Sequence, residues 1–106
     1  MTEAEARYHE IADQLADCTK GKMFGSLCLK APNGKALAIF KNDCMIFKLT
    51  GEPAHEALGY EGAAVFSPMK NRPMNGWIEI PYEHETHWER FAQEAMDYVR
   101  TLKGKK

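Results

Sequence analysis

The chain has 106 residues, 44% hydrophobic and 27% charged, with a net charge of −1. That length bounds one domain with one modest core. The longest apolar run, Ala36 to Phe40, has five residues, and a bilayer span needs about 20. The acidic, polar start from Thr2 to Arg7 lacks the basic and apolar regions of a signal peptide, so a cytoplasmic location is the expectation. Three cysteines, Cys18, Cys28 and Cys44, form neither an even set nor a Cys-x-x-Cys pair. No disulfide framework and no zinc knuckle follow.

The near-neutral total hides segregation. Residues 1–19 carry −4, residues 20–50 carry +5, residues 51–99 carry −6 and residues 100–106 carry +4. The basic stretch holds Lys20, Lys22, Lys30, Lys35, Lys41 and Lys48 against Asp43 alone. A basic patch attracts phosphates or an acidic partner. Lysines pointing outward from half-exposed strands also protect sheet edges, the more ordinary role where no aromatic-rich basic motif accompanies them.

An N-terminal helix opens with the capping-box pair Thr2 and Glu5. Tyr8, Ile11, Ala12 and Leu15 repeat at i, i+3, i+4 and i+7 and mark one face. The helix is expected to end near Asp17–Lys20, with Gly21 as breaker. A first strand over Met23–Lys30 puts Leu27 and Leu29 on one side and Ser26, Cys28 and Lys30 on the other. Pro32-Asn33-Gly34 turns the chain, because Asn and Gly tolerate positive φ. A second strand covers Lys35–Lys41, and Asn42-Asp43 is a two-residue hairpin turn. A third strand covers Cys44–Leu49.

A short helix follows, capped by Thr50 or Gly51, with Pro53 in its first turn and Gly59 at its end. Its apolar face is Ala54, Ala57 and Leu58. A fourth strand spans Ala63–Phe66. A turn-rich, basic loop runs to Gly76, and a fifth strand, Trp77–Ile80, stops at Pro81. The last helix begins with a second capping box, Thr86 and Glu89. Its stripe is Trp88, Phe91, Ala92, Ala95, Met96, Val99 and Leu102, with Arg100 and Lys103 at the negative end of its dipole and Gly104 as its stop.

The order is α-β-β-β-α-β-β-α. It predicts a two-layer α+β domain with a mostly antiparallel five-stranded sheet packed by the terminal helices. The central strands are apolar on both faces. Alternation assigns Leu37 and Ile39 to one face of the second strand and Ala36, Ala38 and Phe40 to the other. In the third strand Met45, Phe47 and Leu49 oppose Cys44 and Ile46. Helices on one face leave the second to a homodimer, a protein partner or intramolecular cover.

Reactive chemistry has little support. His84 and His87, at i and i+3 among Glu83, Glu85 and Glu89, suit a divalent metal or a solvated first turn. No metal or other cofactor is expected. Cys28 and Cys44 carry no signature of a cysteine–histidine enzyme and read as small buried hydrophobes. No phosphate-binding glycine loop exists. Met69 and Met74, in a loop with Arg72, are candidates for recognition, since Met makes adaptable surfaces.

Three segments resemble the TfoX/Sxy N-terminal domain-like family. They are Lys22-Met23-Phe24-Gly25, then Met45-Ile46-Phe47-Lys48-Leu49, then Arg72-Pro73-Met74 followed by Trp77 and Pro81. With the element order, the resemblance spans residues 1–102. It implies a secretion-chaperone-like α+β fold, often dimeric or in protein complexes. In longer members a second domain follows and the protein regulates competence genes. The resemblance marks Met23, Phe24, Gly25, Lys48, Arg72 and Met74 as candidate binding positions and carries no catalytic residue. The expectation is one non-enzymatic binding domain over residues 1–106, acting by protein–protein contact as a homodimer or with another protein. The alternative is a nucleic-acid-associated regulator using the basic strands.

Overall fold

The structure, a computed structural model, describes residues 2–23, 25–67 and 76–102. Helix α1 covers Glu3–Gln14, α2 Gly51–Leu58 and α3 Trp88–Val99. Strands are β1 Thr19–Met23, β2 Ser26–Lys30, β3 Ala36–Lys41, β4 Cys44–Lys48, β5 Ala64–Val65 and β6 Trp77–Pro81. A 3₁₀ segment, Tyr82–His87, leads into α3. The six strands form one sheet in the order β1-β2-β3-β4-β6-β5, and each pairing is antiparallel. The class is α+β. Among the described residues no helix is long and apolar enough to cross a membrane.

The helices share one face of the sheet. Tyr8, Ile11 and Ala12 of α1, Ala57 of α2, and Trp88, Phe91, Ala92, Ala95, Met96 and Val99 of α3 pack on Leu29, Phe40, Met45, Phe47, Ile78 and Ile80. These stripes are the ones the helical periodicity marks. Thr2 caps α1, its Oγ1 accepting from the Glu5 amide at 3.1 Å and donating to Asp43 Oδ1 at 3.0 Å. The Tyr8 hydroxyl donates to the Cys28 carbonyl at 2.8 Å inside the core, and burial pushes its pKa up to about 12.

Several expectations change. The sheet has a sixth strand, because α1 stops at Gln14 and residues 19–23 pair with β2. Asp17 adopts φ 65 and reverses the chain. The sequence Thr-Lys-Gly-Lys-Met has weak strand propensity; antiparallel pairing with β2, Met23 opposite Ser26, holds it extended. Gly25 supplies positive φ there, at 77°.

The face assignment of β3 also changes. Leu29 pairs with Ala38 but Lys30 pairs with Ala36, so Leu37 is an extra, bulged residue. A bulge resets the alternation. Leu37 therefore joins Ala38 and Phe40 under the helices, and Ala36 joins Ile39 on the other side. β4 keeps the expected alternation. Asn42 and Asp43 both take positive φ, 52° and 60°, as a two-residue hairpin turn requires.

The second capping box does not form. The N-cap of α3 is His87, already in helical geometry, with no side-chain cap bond. The 3₁₀ segment feeds the helix directly, so no extended residue precedes it to fold a hydroxyl back. Helix α3 ends at Val99 with Arg100 as C-cap, short of the expected stop at Gly104, which lies outside the described residues. In α2, Ala57 is buried but Leu58 is 43% exposed, so Leu58 leaves the expected apolar face.

The β2–β3 turn closes the end of α3. Asn33 Nδ2 donates to the Val99 carbonyl at 2.9 Å and to the Leu102 carbonyl at 3.1 Å, and its Oδ1 accepts from the Lys35 amide at 3.1 Å. Replacing Asn33→Ala removes all three and is expected to destabilise the fold by about 1–3 kcal/mol. Thermal unfolding followed by circular dichroism should show a Tm lowered by roughly 5–15 °C. Asn33→Asp should not rescue it, because a carboxylate cannot donate to the two carbonyls.

Candidate functional site: the lysine-bearing face of the sheet

Among the described residues no helix packs on the other face of the sheet, and this helix-free face is mixed in character. Strand register places Gly21 beside Cys28, Cys28 beside Ile39, Ile39 beside Ile46 and Ile46 beside Glu79. Cys28, Ile39, Ile46, Phe66 and Trp77 form a second buried cluster, with Met23 and Ala36 packed against it. Cys28 and Ile46 have no exposure, so the centre of this face is buried within the single chain.

The same register gathers the strand lysines. Lys30, Lys41 and Lys48 lie on this face, two residues along their strands from Cys28, Ile39 and Ile46. Lys20 and Lys22 pair with Leu29 and Leu27 and so lie on the helix side. Lys41 Nζ stands 5.9 Å from the Phe66 ring centroid and Lys48 Nζ 5.4 Å from that of Trp77. Each ammonium rests on an aromatic face, a cation–π arrangement. Among the described residues no carboxylate forms an ion pair with Lys30, Lys35, Lys41 or Lys48. On this face β6 contributes one acid, Glu79.

Two hollows flank the cluster. One, of about 400 Å³, is lined by Met23, Ala36, Trp77 and Leu102, with Lys48 and the turn Asn33-Gly34-Lys35. Its size falls within the range of ligand sites, about 300–1,000 Å³. Lys35 and Lys48 make it apolar with a cationic border. The bulge at Leu37 is what turns Ala36 into its wall. The second hollow, of about 230 Å³, lies along Lys41, Ile46, Phe66 and Glu79. A larger groove, of about 520 Å³, runs between α1 and α3 past Glu89, Arg90 and Glu94.

Of the residues marked from the sequence, Met23 and Lys48 meet at the first hollow. Gly25 stands apart, with nothing within 4 Å of where a Cβ would sit, and serves the hairpin turn. Phe24, Arg72 and Met74, with Met69, lie outside the described residues. Sequence reading missed Trp77, Ala36, Lys35, Asn33 and Leu102 as site residues. Trp77 was findable, since it alternates with the core residues Ile78 and Ile80. Ala36 was hidden by the bulge.

The groups that suggested chemistry are otherwise engaged. His87 stacks on Tyr60 at 4.8 Å and His84 lies 5.0 Å from the same ring. His84 Nε2–H donates to the Glu61 carbonyl at 2.8 Å. Arg90 reaches Glu56 at 2.7 Å and the Tyr60 hydroxyl at 3.2 Å, which ties α2 to α3. Among the described residues no group of three or more His, Cys, Asp or Glu is placed to hold a metal. Burial raises the pKa of all three thiols. For Cys44, burial, the Glu79 charge and a hydrogen bond to Glu79 push it to about 12. A raised pKa keeps the thiol protonated at neutral pH, where the nucleophile would be thiolate.

No known family profile, no curated protein and no solved structure matches this chain.

At pH 7 the folded protein should react with a thiol-specific disulfide reagent far more slowly than free cysteine does. In denaturant all three cysteines should react at once. A fast-reacting thiol in the folded state would overturn the burial argument.

Proposed function

We propose that this protein is a non-enzymatic binding module whose working surface is the helix-free face of the sheet and whose partner is an acidic protein segment. The observation that carries the reading is the gathering of Lys30, Lys41 and Lys48 on one face without carboxylate partners among the described residues. Beside them lies an apolar hollow holding Met23 and Trp77. Charge around an apolar hollow suits recognition of a chain that offers carboxylates and an apolar side chain. The resemblance to the TfoX/Sxy N-terminal domains, whose fold kind is met in protein complexes, supports the same reading.

A homodimer through this face would bring the lysines of two copies together, a like-charge cost that an acidic partner avoids. A second reading, nucleic-acid binding, rests on the same three lysines. The acidic helices and the net charge of −1 weigh against it, since phosphate contacts dominate such affinity.

Fluorescence anisotropy with a labelled oligoglutamate peptide and a labelled DNA duplex, each at low and high salt, tests the proposal. Peptide binding that weakens with salt, and is lost in the Lys30→Gln, Lys41→Gln, Lys48→Gln triple variant, is expected. These lysines are half-exposed, so the variant should keep its circular dichroism spectrum. Tighter binding of DNA, lost in the same variant, would replace this reading with the nucleic-acid one. Peptide binding unchanged in the triple variant would remove the face from the proposal.

A further inference from the structure

The two edges of the sheet differ. β5 is only two residues long, Ala64–Val65, too short to template another strand. β1 is five residues long and pairs on one side alone, with β2. Thr19, Lys20 and Lys22 are exposed, and Gly21 and Met23 are half-buried. No described residue pairs with its outer side. An unpaired strand edge offers backbone donors and acceptors to an added strand.

The two faces of this edge are unlike. On the helix side stand Lys20 and Lys22. Asp13 reaches Lys20 at 3.6 Å, and no ion pair engages Lys22 among the described residues. On the helix-free side stand Met23 and the aliphatic stem of Lys30. That stem lies over Gly21, its Cε 3.3 Å from where a Gly21 Cβ would sit. The edge is thus cationic on one face; on the other, past the exposed Thr19, it is apolar from Gly21 to Met23. Met23 also lines the hollow beside Trp77 and Lys48, so edge and hollow are continuous.

We infer that β1 is a docking edge for an extended partner segment of alternating acidic and apolar residues, which adds to the sheet as a seventh strand. Acidic side chains of that segment face Lys20 and Lys22. Its apolar side chains face Met23 and the stem of Lys30. A second copy of β1 is the wrong occupant, because Lys20 and Lys22 would meet Lys20 and Lys22, and like charges across a strand pair destabilise it. The edge lysines that deter self-association in this way select for an acidic strand. The inference rests on the acidic-partner reading and specifies the partner's conformation.

The test uses the full chain and a capped peptide of alternating Glu and Val. Two further peptides carry N-methyl groups on every second amide, one on the odd residues and one on the even. In an added strand only alternate amides face the neighbouring edge. One methylated peptide should therefore bind about tenfold or more weaker, through loss of several hydrogen bonds, while the other stays near the parent. The parent peptide should slow amide exchange at Lys20 and Lys22. Lys22→Glu should weaken its binding, with the circular dichroism spectrum unchanged. Equal binding of both methylated peptides without slowed exchange in β1 would overturn strand addition and leave the acidic-partner reading standing. No binding of this peptide, together with no binding of oligoglutamate, would overturn both.

Discussion

The bulge at Leu37 is the constraint on which the rest of this molecule depends. One extra residue in β3 lets Leu37 and Ala38 both enter the helix-side core, where strict alternation would have sent one of them out. It also moves Ala36 to the helix-free face, next to Lys30. The core gains a Leu side chain, a burial worth about 1.5–3 kcal/mol. The other face gains a small residue where a large one would fill the hollow beside Trp77. Core packing and the candidate site are thus set by one irregularity in one strand.

The two layers carry different kinds of charge. The helices and the 3₁₀ segment together hold most of the acids, and their arginines are spent locally. Arg7 meets Glu10 and Glu85, and Arg90 meets Glu56 and Glu94. The exposed Arg90–Glu56 pair contributes little stability, whereas Arg7 is half-buried. Among the described residues the sheet's lysines have no such partners, apart from Lys20. Instead Lys41 and Lys48 lie on aromatic rings. A net charge near zero therefore conceals a dipolar molecule, acidic on one layer and basic on the other. Such an asymmetry orients an approaching charged partner before contact.

Much of this was legible in the sequence where one period ran without interruption. Tyr8, Ile11 and Ala12, and Trp88 through Val99, gave their buried faces by spacing alone. Asn42-Asp43 gave its turn, because positive φ at two successive positions suits few residue types. What escaped was fixed by pairing across the chain. β1 is a strand through β2, not through its own residues, and the bulge exists only in the register of two strands. The capping box at Thr86 and Glu89 failed because the 3₁₀ segment before it was invisible to spacing. At the site, Met23 and Lys48 were marked by resemblance, and Trp77 and Ala36 joined them only once the strands were paired.

Asn33 sits in two places at once. Its turn forms one wall of the hollow, and its amide holds the carbonyls of Val99, the last residue of α3, and of Leu102. Leu102, just beyond that helix, lines the same hollow. Filling the hollow and fraying the end of α3 are therefore opposed by linkage, since an occupant that binds the closed turn stabilises whatever holds it closed. The terminal turn of α3 becomes a reporter of occupancy. Amide exchange there would register a ligand through the turn and Leu102, which the hollow and the helix end share.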